Sequence, residues 1–491
     1  MYMKRFLWVG LLAAFCPLAA EDLNPQVQTI INNPVLQNAW WGGTARRATG
    51  ETLFAVNAEK RMAPASTLKL LTTAAALDEF GPHHRFETRL YADALPDKDG
   101  VLTGNLYIRG GGDPTLGSPR VKGSAPWQDV LDIWAKAVKK AGIKRIDGNL
   151  YADVSTFEGP SIPIKVNWEN IGNYFAAPAT ALAFNDNSFR VFFAPEPRAG
   201  KTARVEKTEP AVENVRIDSF VTTDAVNRKD NAYVYGAPHQ FDLRVYGTIP
   251  TNLTGFSVNA AMPDAPLFTL QAFQDVLYKK GVAVRGKTEV LYRTPDYAPM
   301  HLLHTQYSPE LKDIIYIVNK RSFNFYAEML LRQLALKAGT AGTVDNGIAA
   351  LETWLSKYEI ATDNLKIYDG SGLSRDNMIS ANTLTDVLWL MSKHPHFEWY
   401  YKSLATPDDR GDLLVLRWFL RPLKKVNQVR LKGGTIDGVK AAAGYVTDQN
   451  GKLISFALIA NNLLSKDETI NRIHENIIKV LLNSGEPTPK K

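Results

Sequence analysis

A serine and a lysine three positions apart are the clearest candidates for catalysis in this sequence. Ser66 and Lys69 stand at the start of an apolar stretch that covers residues 66–77. A serine hydroxyl becomes a useful nucleophile when a neighbouring base takes its proton. Residues three apart on a helix share one face, with Cβ atoms about 5–6 Å apart, so Lys69 can reach the Ser66 hydroxyl. Burial would lower the pKa of Lys69 and free its lone pair for that task.

The same two residues also admit a purely structural interpretation. Ser66 could cap the helix, because a serine side chain can accept a hydrogen bond from the free N–H groups of the first turn. Lys69 could extend along the helix surface and keep its charge in water. Against this, a charged lysine inside an apolar helix is costly unless it has a partner or a role. By themselves the two residues leave both interpretations open.

The elements that must position this pair fall into three regions. Residues 66–77 are apolar on nearly every face, which predicts a buried helix that ends at Gly81-Pro82. From about residue 86 to 295, short alternating strands are separated by turn signals such as Asp99-Gly100. Helical patterns then return, followed by a β-meander near 428–460 and a last helix near 469–482.

This order predicts an α/β (α+β) fold in which both ends of the chain form one domain. We expect an antiparallel sheet with helices, assembled from residues 21–85 and 296–484. A β-rich insertion, residues 86–295, would interrupt that domain and contain two nested subdomains. Residues 485–491 are expected to form a flexible tail.

Several motifs, in this order, resemble those of a known enzyme family. Ala65-Ser66-Thr67-Leu68-Lys69 is similar to the active-site motif of the serine penicillin-binding proteins. Later segments are similar to the class C low-molecular-mass group, peptidase family S13: Gly111-Gly112-Asp113-Pro114-Thr115-Leu116, Asn185-Asp186-Asn187-Ser188 and Asp369-Gly370-Ser371-Gly372-Leu373-Ser374-Arg375. These enzymes are D-alanyl-D-alanine carboxypeptidases and endopeptidases. The resemblance implies a penicillin-binding-protein transpeptidase-like fold, with Ser66 as nucleophile and Lys69 as its base.

The family also uses a Ser-x-Asn motif, for which this sequence offers three candidates. One, at 257–259, lies in the expected insertion, and another, at 380–382, is typical of a helix N-cap. The third, Ser322-Phe323-Asn324, lies where two helical patterns meet, at a distance from Ser66 that suits an insertion-bearing member. We select Ser322 and Asn324. The resemblance implies that Ser322 passes a proton to the leaving amine, and that Asn324 binds a substrate amide and helps hold Lys69.

The third family motif, Lys-Thr-Gly, is matched by Lys432-Gly433-Gly434-Thr435. Lys432 ends a strand pattern, where it would attract the terminal carboxylate of a substrate. Gly433 departs from the family, which usually carries a threonine there to bind that carboxylate. Thr435 is the candidate to supply a hydroxyl instead; the alternative is a weakened pocket or one that recognises a different terminus. The resemblance further implies an oxyanion hole made by the N–H groups of Ser66 and Thr435.

The first 20 residues predict an export signal. Lys4 and Arg5 precede an apolar run at 6–15, and small residues before Glu21 favour cleavage after Ala20. The run is short for a spanning helix, although an uncleaved membrane anchor is the alternative. Cys16, the single cysteine, lies inside this signal, so the mature chain would have no disulfides, thiol catalysis or cysteine-ligated metal. We expect a periplasmic protein with at most peripheral membrane association.

Charge and the remaining motifs narrow the possible partners. The net charge of +7 is spread along the chain without a dense basic run, so nucleic acid is not expected. This charge would suit contact with anionic envelope polymers, or it serves solubility alone. No cofactor or metal is expected, because the glycines at 110–112 lack the rest of a phosphate loop and His394 and His396 lack the spacing of a helical metal pair.

Together these observations predict a periplasmic serine D,D-peptidase. It would act on peptidoglycan stem peptides through an acyl-enzyme, and β-lactam antibiotics would acylate the same serine. A β-lactamase-like hydrolase is one rival, although so large a β-rich insertion is not expected there. A non-catalytic peptidoglycan-binding protein is the other, made possible by Gly433. Carboxypeptidase and endopeptidase action both fit the sequence.

Overall fold

A computed structural model describes residues 21–194, 196–225, 231–251, 255–410, 413–464 and 467–485 of the protein. The expected export signal at 1–20 and residues 486–491 of the expected tail lie outside these described residues. Within the described ranges, no helix combines the length and apolar character needed to cross a membrane.

Helices dominate the two ends of the chain and strands dominate its middle. The helices are α1 (Asn24–Ile31), α2 (Lys69–Phe80), α3 (Trp127–Lys140), α4 (Trp168–Ile171), α5 (Ala265–Lys279), α6 (Leu311–Lys320), α7 (Asn324–Lys337), α8 (Val344–Lys357), α9 (Ala381–Ser392), α10 (Phe397–Ser403), α11 (Leu414–Leu420) and α12 (Asp467–Leu482). The strands are β1 (Trp40–Arg47), β2 (Thr52–Val56), β3 (Glu87–Ala92), β4 (Val101–Leu102), β5 (Leu106–Gly110), β6 (Arg145–Ile146), β7 (Leu150–Asp153), β8 (Ser188–Ala194), β9 (Arg204–Glu209), β10 (Arg216–Asp224), β11 (Tyr233–Tyr235), β12 (Asp242–Pro250), β13 (Phe256–Ala261), β14 (Ala283–Val284), β15 (Thr288–Leu291), β16 (His301–Tyr307), β17 (Val429–Ile436), β18 (Val439–Thr447) and β19 (Leu453–Asn461).

The sheet that carries the candidate site is built from both ends of the chain. Its strand order is β17-β18-β19-β1-β2, and every neighbouring pair is antiparallel. The register pairs Trp40 with Asn461 and Lys432 with Ala443. The expected fold class, an antiparallel sheet with helices interrupted by a β-rich insertion, is therefore confirmed.

The central strands of this sheet separate two hydrophobic cores. Ala443 and Ile459 pack into the core that contains α2, whereas Phe456 on the opposite face packs with Ile477 of α12. Successive strand residues point to opposite faces, so each strand feeds both cores. Because both faces are covered, β18 and β19 are nearly continuous runs of buried residues.

The helix after Ser66 is enclosed as its composition predicts. A 3-10 turn, Ala65–Leu68, leads directly into α2, and residues 69–77 are all buried. The predicted helix thus begins as a tighter turn than an α-helix. Gly81, with φ of 78°, ends it in a positive-φ conformation that glycine adopts readily.

The middle of the chain forms several smaller sheets. Their strand orders are β15-β7-β5-β3-β16, β14-β6-β4, β13-β8-β9 and β10-β12-β11. Strand β16 follows residue 295, the expected end of the insertion, yet it pairs antiparallel with β3. The sheet of the insertion therefore extends to Tyr307 before the chain returns to helices.

Candidate active site

Lys69 connects the nucleophile candidate to two other parts of the chain. Its ammonium nitrogen donates hydrogen bonds to Ser66 Oγ at 2.9 Å, to Asn324 Oδ1 at 2.7 Å and to the Ser371 carbonyl at 2.6 Å. The lysine is 0% exposed, whereas Ser66 is partly exposed. The pair is therefore arranged as a buried base beneath an accessible hydroxyl.

Burial changes the protonation of this lysine. Loss of hydration lowers the pKa of Lys69 to about 7, although the negative fields of Asp369 and Glu328 oppose the change. Near neutral pH a large fraction of the side chain is then uncharged. An uncharged amine has a lone pair that can accept the Ser66 proton.

The two carboxyls behind Lys69 belong to the loop 369–377 and to helix α7. Asp369 accepts hydrogen bonds from the N–H groups of Gly372 at 2.7 Å and Ser374 at 2.6 Å. Glu328 accepts one from the N–H of Gly370 at 3.0 Å. Burial raises the pKa of Asp369, and burial together with the Asp369 charge raises that of Glu328 to about 7. These carboxyls fix the loop whose Ser371 carbonyl holds Lys69.

Sequence reasoning found only part of this support. The segment that contains Asp369 is one of those that resemble the family, but no pattern in the sequence singled out Glu328. The available signal was a glutamate within a helix whose residues 325–335 are otherwise mostly apolar and all buried. A carboxyl in such a position needs a partner or a role.

Ser322 and Asn324 reach the site from the junction of α6 and α7. Ser322 has φ of 58°, and this left-handed residue turns the chain between the two helices. Asn324 accepts from Lys69 through Oδ1 and donates through Nδ2 to the Phe175 carbonyl at 2.8 Å. Phe175 belongs to the insertion, so the insertion contacts the site directly.

The other two Ser-x-Asn candidates lie elsewhere. Ser257 is on β13, in the sheets of the insertion. Ser380 caps α9, and its side chain accepts a hydrogen bond from the N–H of Thr383. The structure places the motif at 322–324 against Lys69, through the contact of Asn324 with the lysine.

Lys432 faces Ser322 from strand β17. Its Nζ donates to Ser322 Oγ at 2.8 Å and to the Gly433 carbonyl at 2.6 Å, and the side chain is only 1% exposed. The expected direct contact of Lys432 with a carboxylate stays a prediction, and the structure adds a different contact, with a hydroxyl. A cation beside Ser322 favours loss of the Ser322 proton.

Strand β17 passes close to the nucleophile because Gly434 has no side chain. A Cβ atom at Gly434 would lie 2.7 Å from the Pro64 carbonyl oxygen and 3.0 Å from the Ser66 nitrogen. Thr435, the next residue, is exposed. Glycine here allows two backbone segments to meet where the resemblance places the oxyanion hole.

A cavity of about 510 Å³ opens above these groups. Both the domain that carries Ser66 and the insertion line it. The polar lining residues are Ser66, Asn167, Glu169, Asn170, Tyr233, Tyr235, Asn324, Arg375, Thr435 and Asp437, and the others are Phe175, Gly372, Leu373 and Ile436. A concave site with a few converging polar groups is the usual form of a small-ligand or substrate site.

His394, which lacks the spacing of a helical metal pair, and Tyr400 of α10 both have structural partners. His394 Nε2 lies 2.9 Å from Asp78 Oδ1, and Tyr400 donates to the Leu70 carbonyl at 3.0 Å. Among the residues that the structure describes, no group of three or more His, Cys, Asp or Glu side chains could hold a metal ion.

Comparison with known proteins identifies the family. The model of the D-Ala-D-Ala carboxypeptidase 3 (S13) family matches residues 23–483. A D-alanyl-D-alanine carboxypeptidase of Actinomadura sp. (strain R39) is 28% identical over 452 residues, which cover 90% of this chain and 81% of the relative. The D-alanyl-D-alanine carboxypeptidase DacB of Haemophilus influenzae is 25% identical over 413 residues, covering 84% of this chain and 83% of the relative.

A solved structure shares the fold. The crystal structure of penicillin binding protein 4 (dacB) from Haemophilus influenzae superposes with a TM-score of 0.79 at 23% identity, and covers 93% of this chain and 99% of its own. A second crystal structure of that protein, in complex with a β-lactam, gives a TM-score of 0.74 at 22% identity, over 94% of this chain and 100% of its own. The chain therefore belongs to the D-Ala-D-Ala carboxypeptidase 3 (S13) family, which confirms both the resemblance of its motifs and the predicted class of serine-type D-Ala-D-Ala carboxypeptidase.

Proposed function

We propose that this chain is a periplasmic serine D,D-peptidase that cleaves peptidoglycan stem peptides through an acyl-enzyme. One observation carries the proposal: the Nζ of Lys69 lies 2.9 Å from Ser66 Oγ in a buried position that lowers the lysine pKa to about 7. A nucleophile in contact with a base that is partly neutral at working pH is the arrangement that serine acyl transfer needs.

In the first step Ser66 Oγ attacks the carbonyl carbon of the penultimate D-alanine. A bond forms between Oγ and that carbon, and the Oγ proton passes to Lys69 Nζ. The carbonyl oxygen becomes an oxyanion, which the N–H groups of Ser66 and Thr435 stabilise. The close approach of Gly434 to the Ser66 nitrogen supports this role, because it brings strand β17 beside the nucleophile.

In the second step the bond between the carbonyl carbon and the leaving nitrogen breaks. Ser322 delivers a proton to that nitrogen, and the leaving D-alanine departs as an amine. The contact of 2.8 Å between Lys432 Nζ and Ser322 Oγ supports this role, because a neighbouring cation makes a hydroxyl a better proton donor. The proton that Lys69 accepted replaces the one that Ser322 gave.

In the last step water hydrolyses the ester on Ser66. Lys69, neutral again, accepts a proton from the attacking water, and Ser66 Oγ leaves with a proton in return. Penicillin would enter the same first step, and the open ring would stay attached because its leaving nitrogen is tethered. The D-alanyl-D-alanine carboxypeptidases among the relatives, and the structure of a relative with a β-lactam, support this choice of ligands.

Periplasmic location and endopeptidase action are further parts of the proposal. The basic and apolar pattern of residues 1–20 supports export. The cavity is lined by residues of the insertion as well as by Ser66, which supports a cleft that can hold a second stem peptide. Incubating the purified protein with cross-linked muropeptides tests this point by mass spectrometry. Monomeric products support endopeptidase action, and release of D-alanine alone restricts the enzyme to carboxypeptidase action.

The same preparation separates this proposal from its rivals. Sustained turnover of a chromogenic cephalosporin, with no stable adduct, would identify a β-lactamase-like hydrolase instead. Retention on peptidoglycan fragments without release of D-alanine or cross-link cleavage would identify a non-catalytic binding protein. A D,D-peptidase gives product from peptides and a long-lived adduct with penicillin.

A further inference from the structure

Gly433 leaves a space on strand β17 that another side chain fills. The family motif usually carries a threonine at this position, whose hydroxyl binds a carboxylate. Here a Cβ atom at Gly433 would lie 2.5 Å from both Cζ and Nη2 of Arg410. A threonine side chain and this guanidinium cannot occupy the same volume. Arg410 therefore lies where the motif's usual side chain would be.

The arginine is placed there by a turn anchored on both sides. Ala405 exchanges two backbone hydrogen bonds with Leu431 of β17, at 3.1 and 2.9 Å. In the following turn, the Asp409 carboxylate accepts from the N–H of Thr406 at 2.9 Å and pairs with Lys320 at 3.1 Å. Lys320 ends α6, two residues before Ser322. The turn is thus tied to the same strand and the same helix end that carry the candidate site.

Arg410 covers one particular face of strand β17. Alternate residues of a strand share a face, about 6.5–7 Å apart along the chain. Lys432 and Gly434 face Ser322 and Ser66, so Gly433 and Thr435 share the other face. The Arg410 guanidinium therefore lies on the same face of β17 as Thr435, which lines the cavity.

A substrate of the proposed function ends in a carboxylate that needs a cation. Lys432 is buried and directs its ammonium group at Ser322 and the Gly433 carbonyl. Arginine binds a carboxylate with two parallel N–H groups, which gives both affinity and orientation. A guanidinium over Gly433 with a hydroxyl at Thr435 provides complementary donors for such a group.

We propose that Arg410 recognises the terminal carboxylate of the substrate, in the place of the threonine that Gly433 lacks. The inference rests on the proposed function and deepens it, because it names the residue that selects a free carboxylate. The same residue would bind the carboxylate of penicillin.

The test compares two substrates that differ by one methyl group, which removes the negative charge. One is an acyl-D-alanyl thioester with mercaptoacetate as leaving group, and the other is its methyl ester. For Arg410→Ala we expect kcat/KM to fall about 10- to 100-fold with the free carboxylate, which is the usual loss for one charge-assisted contact, and less than about threefold with the ester. Arg410→Lys should lose less than Arg410→Ala, because it keeps the charge.

Restoring the family residue gives a second, independent readout. In Gly433→Thr the added side chain meets the flexible end of Arg410 and must displace the guanidinium, so the further change Arg410→Ala should cost less in this background than in the wild type. The double variant Gly433→Thr with Arg410→Ala should be more active toward the free carboxylate than Arg410→Ala alone. Arg421→Ala is the matched control: Arg421 pairs at 2.6 Å with Asp408 of the same turn, whereas the three atoms nearest a Cβ at Gly433 all belong to Arg410. That variant should keep the preference for the carboxylate.

The outcomes separate this inference from the proposed function. If the wild-type protein cleaves neither thioester and forms no penicillin adduct, the proposed function fails. If the wild type cleaves both thioesters, but Arg410→Ala lowers kcat/KM equally for the acid and the ester, the inference about Arg410 is overturned while the proposed function stands. A loss of carboxylate preference in Arg421→Ala that equals the loss in Arg410→Ala would also overturn it, because the turn and not the guanidinium would be responsible.

Discussion

Lys69 Nζ lies 2.9 Å from Ser66 Oγ, and the lysine side chain that makes this contact has no exposure to solvent. The same nitrogen donates to Asn324 Oδ1 and to the Ser371 carbonyl, so its position is fixed from three sides. A base held in this way needs no rearrangement before it accepts a proton. Because this contact is already formed, removal of the amine should lower the rate of acylation more than it weakens substrate binding.

Replacing Lys69 by methionine should remove the base while keeping most of the volume of the side chain. We expect the rate of acylation by a fluorescent penicillin to fall about 10²- to 10⁴-fold, the usual contribution of a general base. Lys69→Arg should be similarly slow, because a guanidinium stays protonated at neutral pH. An acylation rate within a few-fold of wild type in either variant, in a protein with native circular dichroism, would contradict the role of Lys69.

The pH dependence of acylation should follow the titration of Lys69. The uncharged amine is the active form, and burial lowers its pKa to about 7. The rate should therefore rise with pH below about 7 and level off above it. The charge of Glu328 raises the pKa of Lys69, so Glu328→Gln should move the inflection to lower pH. Glu352→Gln, on helix α8, is the control, and it should leave the inflection where it is in the wild type. An unchanged inflection in Glu328→Gln would contradict an effect of the Glu328 charge on the pKa of Lys69.

Ser322 should matter for the proton that reaches the leaving group. Its hydroxyl accepts from Lys432 at 2.8 Å, and Ser322→Ala should slow both peptide cleavage and acylation by about 10²- to 10⁴-fold. Ser380 offers a matched control, because it belongs to another Ser-x-Asn motif and caps α9. Ser380→Ala should cost about 1 kcal/mol of stability in a urea titration and leave kcat unchanged. Equal effects of the two variants on kcat would remove the case for Ser322.

The contact between strand β17 and Ser66 depends on the missing side chain of Gly434. A Cβ at this position would meet the Pro64 carbonyl oxygen at 2.7 Å and the Ser66 nitrogen at 3.0 Å. Both are backbone atoms, so Gly434→Ala should push the strand away from the nucleophile. We expect kcat to fall at least about tenfold, because a donor of the oxyanion hole moves out of place. A crystal structure of the variant with β17 displaced would support this cause, and an undiminished kcat would contradict it.

The nucleophile and its helix could be predicted because they depend on local rules. An apolar run after Ser66 and a glycine at 81 define a buried helix, and spacing alone brings Lys69 to the serine. The expected sheet from both ends of the chain also follows from patterns within each segment. These features require no knowledge of which distant segments meet.

The remainder of the site depends on contacts between distant segments. Phe175 supplies a carbonyl to Asn324 from the insertion, and Asp369 lies behind Lys69, 300 residues away from it in the chain. Arg410 fills the space above Gly433 from a turn with no motif of its own. The departure at Gly433 was visible in the sequence, but the residue that occupies its space became apparent only from the packing.

The most direct test of the central claim is the intact mass of the protein after incubation with benzylpenicillin. Ser66 lies within reach of its base and lines the cavity, so we predict a stable adduct equal to the mass of the penicillin on wild-type protein. Ser66→Ala should show none, and peptide mapping of the wild-type adduct should place it on Ser66. An unmodified wild type, or an undiminished adduct on Ser66→Ala, would contradict the assignment of Ser66 as the nucleophile.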